Sequence, residues 1–239
     1  MKVIVRPLVA AADRGRRLVV FKWATREYFF LTEDWDRSPS SIVWSKDGNM
    51  LYLTVEEYGK LKLFELPFRK TASSNLGPFP KPVVTEHSLI AVHHAGNDLL
   101  LSQTSLTEPS IVQLYDTTSK SLHPVVTAWN SNPLSQKSVQ EFWFEGYQRH
   151  PVHGFMYLPE SFSPKKKYPL AFLIHGGPQM AWEDAWSTRW NPAVFANHGN
   201  GWVVVAINPS GSSGYGMEFQ DAITGNWGTN PCMAQVYFG

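Results

Sequence analysis

One cysteine, Cys232, stands in a chain of 239 residues. A lone thiol closes no internal disulfide and builds no cysteine-based zinc site. Excess charge is also missing: 21 Lys and Arg face 20 Asp and Glu, for a formal net charge of +1. A nucleic-acid footprint shows as a clustered basic excess. The basic runs at 14–17 and 165–167 are no longer than those of ordinary solvated loops. No nucleic-acid partner is expected. No apolar run reaches the about 18 residues of a membrane-spanning helix, so no membrane span is expected either. The opening MKVIVRPLVAAA has a short apolar core broken by Arg6 and Pro7, which argues against a signal peptide. Asn208-Pro209-Ser210 carries proline in the middle position and so is not a glycosylation sequon.

What remains is ordinary globular material, with 43% hydrophobic and 17% charged residues, enough to bury a core. It is written in two grammars. In the first half, short apolar strands alternate with turns. The turn at 44–49 contains Asp47-Gly48, a pair tolerant of positive φ. LYLTV (51–55) follows, and LKLF (61–64) comes after Tyr58-Gly59-Lys60. A second unit repeats the plan with SLIAV (88–92), a turn at Gly96-Asn97-Asp98, LLL (99–101) and IVQLY (111–115). The spacing is close to the ~40-residue period of a propeller blade. A plain antiparallel sandwich uses the same strands and turns. About two blades cannot close a ring, which needs at least ~4. Stretches rich in Pro, Gly, Ser and Asn at 67–82 and 129–137 read as a long connector and a break.

After that break the pattern changes. VQEFWF (139–144) and VHGFMYL (152–158) read as a strand pair. PLAFLI (169–174) and WVVVAI (202–207) are apolar without alternation, as in strands buried on both faces of a parallel sheet. Residues 190–197 and 217–223 can form helices. Strand, loop, helix, repeated, is an α/β signature. In open parallel sheets, ligands sit beyond the carboxyl ends of the strands, where this chain has two loops. The first holds His175, Gly176, Gly177 and Pro178. Its glycines bare backbone N–H groups, as an oxyanion hole requires; a simple turn uses the same residues. The second is NPSGSSGYG (208–216). It lacks the Gly-Lys-Ser/Thr of a phosphate-binding loop. Its Asn208, Ser210, Ser212 and Tyr215 either line a pocket or satisfy one another.

HGGPQMAWEDAWSTRWNPAVFANHG followed by GWVVVAINPSGSSGYGMEFQDAITGNWG resembles the prolyl oligopeptidase family of serine peptidases. More narrowly, it resembles the fungal dipeptidyl-peptidase V group. Residues 141–178 resemble the opening of the family's catalytic domain, and residues 31–67 one of its propeller blades. The resemblance runs from about residue 24 to about residue 230. It implies an α/β-hydrolase domain behind a β-propeller, and cleavage of dipeptides from peptide N-termini by a serine nucleophile. It implies no metal and no organic cofactor, peptide substrates as partners, and secretion. By the same resemblance, His175 and the glycine after it border the oxyanion site. An acylaminoacyl-peptidase activity of the same family and a non-catalytic binding module are the other readings.

The chain departs from the family in one respect that matters. The family's nucleophile sits in a Gly-x-Ser-x-Gly elbow after the next strand, and these residues contain no such elbow. Gly211-Ser212-Ser213-Gly214 is a decoy, because Tyr215 stands where the final glycine belongs and the stretch follows the wrong strand. None of the catalytic triad is expected here. The histidines at 87, 93, 94, 150, 153 and 198 read as surface or core residues. The expected organisation is residues 1–23 unassigned, 24–135 part of a β-propeller of about two blades, 136–230 an incomplete α/β-hydrolase domain, and 231–239 a tail unlike the family. The expectation is a fragment inactive by itself. It should remain in the cytoplasm when expressed as written, and it should self-associate through a strand at 170–174 left at a sheet edge.

Overall fold

The computed structural model describes residues 2–7, 15–68, 79–126, 138–146, 149–177 and 179–229. The connector at 67–82, the break at 129–137 and the tail at 231–239 fall mostly or wholly outside these residues. The chain forms two compact units. The first comprises Met1–Gln103 with Val112–Val125, and the second Thr104–Ile111 with Val126–Gly239.

Among the described residues the first unit holds three sheets. Strands β1 (Lys2–Pro7), β2 (Arg16–Lys22) and β3 (Glu27–Phe30) make one. Strands β4 (Pro39–Trp44), β5 (Met50–Glu57), β6 (Lys60–Pro67) and β7 (Lys81–Val84) make the next. Strands β8 (Ser88–Ala95), β9 (Asp98–Thr104), β10 (Ile111–Asp116) and β11 (Ser121–Val126) make the third. In each sheet, strands adjacent in sequence are adjacent in space.

Turn chemistry explains this meander. Gly48 and Gly96 have φ of 72° and 70°, as their turns require. At the β5–β6 hairpin both central residues, Tyr58 and Gly59, have positive φ, 53° and 69°. This primed geometry matches the twist of the flanking strands. Asp47 fastens its own turn. Its carboxylate accepts from the Ser45 hydroxyl at 2.6 Å and from the Asn49 N–H at 3.1 Å, and these bonds, Ser45's first, hold its pKa below the usual value. The short strands β7 and β11 contain Pro82 and Pro124 and lie at sheet edges, where a missing N–H breaks no ladder.

The middle sheet is covered on both faces, so β5 is buried on both. Leu51, Leu53 and Val55 pack with Leu18 and Val20 of β2. Tyr52 and Leu63 pack with Val84, Leu89, Leu99, Leu101 and Tyr115. The change in sequence character near residue 24 is therefore not a boundary of the fold. Across it, β2 pairs with β3 through Phe21↔Tyr28 and Lys22↔Glu27. Leu53 is fully buried, and Leu53→Ala is expected to destabilise this unit by about 2–5 kcal/mol, through lost transfer energy and the cavity left behind. A urea unfolding curve checks this; an unchanged midpoint would mean that the two-sided core is not real.

The second unit carries one four-stranded sheet. Its members are β12 (Val139–Glu145), β13 (Pro151–Tyr157), β14 (Leu170–Leu173) and β15 (Val203–Asn208), in the order β12-β13-β15-β14. β12 and β13 form a hairpin, β13 runs antiparallel to β15, and β14 runs parallel to β15. The two continuous apolar runs meet different fates. β15 lies inside the sheet and all but its first residue are buried. β14 ends the sheet, with Leu170 exposed. The expected helices are shorter than their sequence patterns. Asn191 caps α1 (Pro192–Ala196) by accepting from the Ala193 N–H, and Pro192 opens it. The helix stops before Gly199, whose φ is 60°. The other, α2, spans Met217–Asp221.

Candidate functional site

β14 delivers its chain to the loop at 174–182, and β15 to the loop at 208–216. Both leave the carboxyl ends of parallel neighbours, so both open on one end of the sheet. In the first loop His175 is half-buried, while Gly176 and Gly177 are exposed. Pro178 lies outside the described residues. Gly177 has φ of 129°, and an added Cβ would meet the Gln179 nitrogen at 2.9 Å. Only glycine fits there. Gly176 has open space around it: nothing lies within 4 Å of where its Cβ would be.

The His175 ring turns back on its own loop. Its Nδ1 lies 2.8 Å from the Gly176 carbonyl oxygen. A carbonyl only accepts, so Nδ1 carries the proton and donates. Its Nε2 lies 3.1 Å from the Ser212 hydroxyl. Burial lowers the pKa of His175, partly opposed by the bond to Gly176. The neutral ring is therefore favoured. The sign follows for stability: as pH falls below the unfolded value of about 6.5, the unfolded chain takes up a proton that the folded site resists, and this site loses stability.

The far end of the first loop is tied to the second. The Asn208 side chain makes a two-point bridge to the Trp182 backbone. It accepts from the Trp182 N–H at 2.7 Å and donates to the Trp182 carbonyl at 2.9 Å. The Trp182 indole N–H donates to the Leu173 carbonyl at 3.2 Å.

The four second-loop residues singled out in sequence serve the interior. Asn208, Ser210 and Ser212 are buried; Tyr215 is half-buried. Ser212 donates to the Pro209 carbonyl at 2.7 Å. Ser210 lies 3.3 Å from His150 Nδ1. Asn208 also donates to the Tyr215 hydroxyl oxygen at 2.8 Å, which lies 2.6 Å from His153 Nδ1. The Tyr215 hydroxyl thus joins Asn208 to the His153 ring. The loop's polar groups bond to one another and to His150, His153, His175 and Trp182, and so anchor the first loop.

His153 is the member that sequence reasoning placed only as a surface or core histidine. It is fully buried, and its Nε2 lies 3.6 Å from the Glu141 carboxylate, beyond hydrogen-bond range. It sits 62 residues before Tyr215, and no local spacing signals that pairing. Among the described residues, no cluster of three or more His, Cys, Asp or Glu side chains could hold a metal ion. No described helix is long and apolar enough to cross a membrane.

Over 205 residues the chain is 42% identical to the dipeptidyl-peptidase 5 of Schizosaccharomyces pombe, a match covering 84% of this chain and 28% of that protein. It is 40% identical over 209 residues to the dipeptidyl-peptidase 5 of Trichophyton schoenleinii, covering 84% of this chain and 27% of that one. The chain thus spans little more than a quarter of the length of these relatives. Among solved structures, the uncomplexed acylaminoacyl peptidase of Pyrococcus horikoshii has a TM-score of 0.70 over 94% of this chain and 34% of that one. Its sequence identity is 16%, so this likeness is one of fold. Residues 186–237 match the prolyl oligopeptidase family, and with its relatives at about 40% identity the chain belongs to that family.

Proposed function

We propose that this chain supplies the oxyanion-loop part of a serine peptidase that removes dipeptides from peptide N-termini. The observation that carries the reading is the exposed Gly176–Gly177 backbone at the carboxyl end of β14. In a trans peptide the C=O and N–H point in opposite directions. The Gly176 carbonyl is turned onto the His175 ring, so the Gly177 N–H is aimed away from it. That donor is suited to the negative oxygen that forms when a peptide carbonyl is attacked. Sheets β4–β7 and β8–β11 are read as two blades of a propeller preceding an α/β-hydrolase domain, of which β12–β15 are the first strands. No metal or organic cofactor takes part in this reading. The relatives at about 40% identity are named dipeptidyl-peptidases, which favours that activity over the acylaminoacyl type.

An exchange experiment tests this. The matched segment of the Schizosaccharomyces pombe enzyme is replaced by that of this chain. The chimera is expected to cleave Ala-Ala p-nitroanilide and to be inactivated by a fluorophosphonate. Gly177→Ala in it is expected to lower kcat by about 10²–10³, the cost of misplacing one oxyanion donor. A folded chimera with no hydrolysis, beside an active parent, would sink the proposal and leave a binding module. Preference for an acylated amino-acid substrate would transfer the chain to the other branch.

A further inference from the structure

The Gly176–Gly177 peptide has a glycine on each side of its bond and open space at Gly176. Such a peptide rotates cheaply. Rotation would present the Gly176 oxygen where the Gly177 N–H should be, turning attraction for an oxyanion into repulsion. Something must hold one orientation. We propose that Ser212 is the positioning residue of this loop, acting through His175: its buried hydroxyl fixes the ring, and the ring fixes the direction of the Gly176–Gly177 peptide. The inference rests on the peptidase reading.

Three observations carry it. First, Ser212 is itself immobilised. It is fully buried, and both its backbone N–H and its hydroxyl donate to the Pro209 carbonyl, at 3.0 and 2.7 Å. The N–H groups on either side of it are also engaged, Gly211 with the Phe219 carbonyl and Ser213 with the Met180 carbonyl. The hydroxyl is thus a fixed point that owes nothing to His175. Second, among the described residues Ser212 is the hydrogen-bond partner of His175 Nε2, while Nδ1 is spent on the Gly176 carbonyl. The ring is a strut between a fixed hydroxyl and a mobile carbonyl. Third, the strut holds in either protonation state. In the neutral ring Nε2 accepts when the hydroxyl proton turns to it, in competition with Pro209, and that carbonyl then keeps the Ser212 N–H. In the protonated ring Nε2 donates, and the hydroxyl proton turns fully to Pro209.

Ser212 stands 37 residues beyond His175 and next to Ser213, which holds the serine position of the decoy elbow. It has no solvent-accessible surface, so a substrate carbonyl cannot reach it. Its position behind the loop suits it to hold the loop rather than to attack.

The test uses the same chimera. Ser212→Ala is expected to lower kcat about 10–100-fold with KM changed less than about threefold, since an oxyanion donor acts on the transition state. Inhibition by a dipeptidyl boronate, which forms a tetrahedral anion, should weaken by the same factor, and inhibition by the product dipeptide should not change. His175→Ala should cost as much as Ser212→Ala, and the double variant no more than either, because one strut is cut twice. Ser212→Thr, which keeps the hydroxyl, should recover most of kcat. If Ser212→Ala does not fold, His175→Ala on its half-buried loop and Ser212→Thr carry the same comparison. Parental kcat in Ser212→Ala, or losses that multiply in the double variant, would overturn the inference. An inactive but folded parent chimera would instead sink the peptidase reading. The strut is then judged by hydrogen exchange of residues 174–177, which Ser212→Ala should accelerate; unchanged exchange would overturn it.

Discussion

Purified as these 239 residues and mixed with Ala-Ala or Lys-Ala p-nitroanilide, the chain is expected to release no nitroaniline above the buffer rate. Serine peptidase chemistry needs an exposed hydroxyl, a base in reach of it, and a group that orients the base. Among the described residues three serine–histidine pairs occur, Ser212 with His175, Ser210 with His150 and Ser121 with His123. The first two fail the first requirement, since their serines are buried; the third pair lies within β11, in the unit that does not carry the two loops. The His175 pair also fails the third: its Nδ1 faces a backbone carbonyl rather than a carboxylate. An oxyanion loop stabilises a charge that nothing here generates. Losing the nucleophile or the base of a triad costs on the order of 10⁶ in turnover, which puts the chain alone at background. Turnover within about a hundredfold of a full-length relative, abolished by a fluorophosphonate, would contradict this. Mass spectrometry of the labelled peptide would then name the serine.

The parts of this fold that were legible in sequence are those with a one-dimensional signature. The run at 203–207 reads as a doubly buried strand because it carries no polar residue, and it is β15. The turns at Asp47-Gly48 and Gly96-Asn97 read as turns because their glycines accept positive φ. The strands that escaped notice are short edge strands whose apolar content is diluted. β4 begins Pro-Ser-Ser, and β7 is four residues including Pro82. β2 escaped for another reason. Its residues were read as a poor match to a blade, yet Leu18 and Val20 are fully buried in the first unit's core. Packing recognises shape and apolarity, and family likeness recognises ancestry. In the site, the glycines of the first loop were legible because bared backbone needs them. The roles of Asn208, Ser212, Tyr215 and His153 were not, because they depend on partners 26 to 62 residues away. Hydroxyls and amides in a glycine-rich loop look alike whether they face a substrate or each other; only burial separates the two cases.

The chain by itself is expected to elute from a sizing column above the mass of one copy. β14 explains why. Among the described residues it pairs with β15 on one side and with no strand on the other. Its outer edge carries no charge in the strand sequence Leu-Ala-Phe-Leu. Leu170 is 51% exposed, and Ile174, just past its end, 66%. Charges within an edge strand are a common protection against pairing with another chain, and β14 has none. Apolar side chains elsewhere in the same unit are also exposed: Trp190, Val194, Phe195 and Trp202. Exposed apolar surface next to an unpaired edge favours association between copies. Light scattering on the eluting peak should therefore give a dimer or larger species, with ANS fluorescence well above that of a compact monomer. The cause can be separated from mere insolubility. Leu170→Lys and Ile174→Lys place a charge at each end of the edge while leaving the fully buried core untouched, and they should move the population towards single copies. A monodisperse single copy with cooperative unfolding and little ANS signal would mean that the edge is already covered. Lysine variants that associate as strongly as the parent would move the contact away from β14.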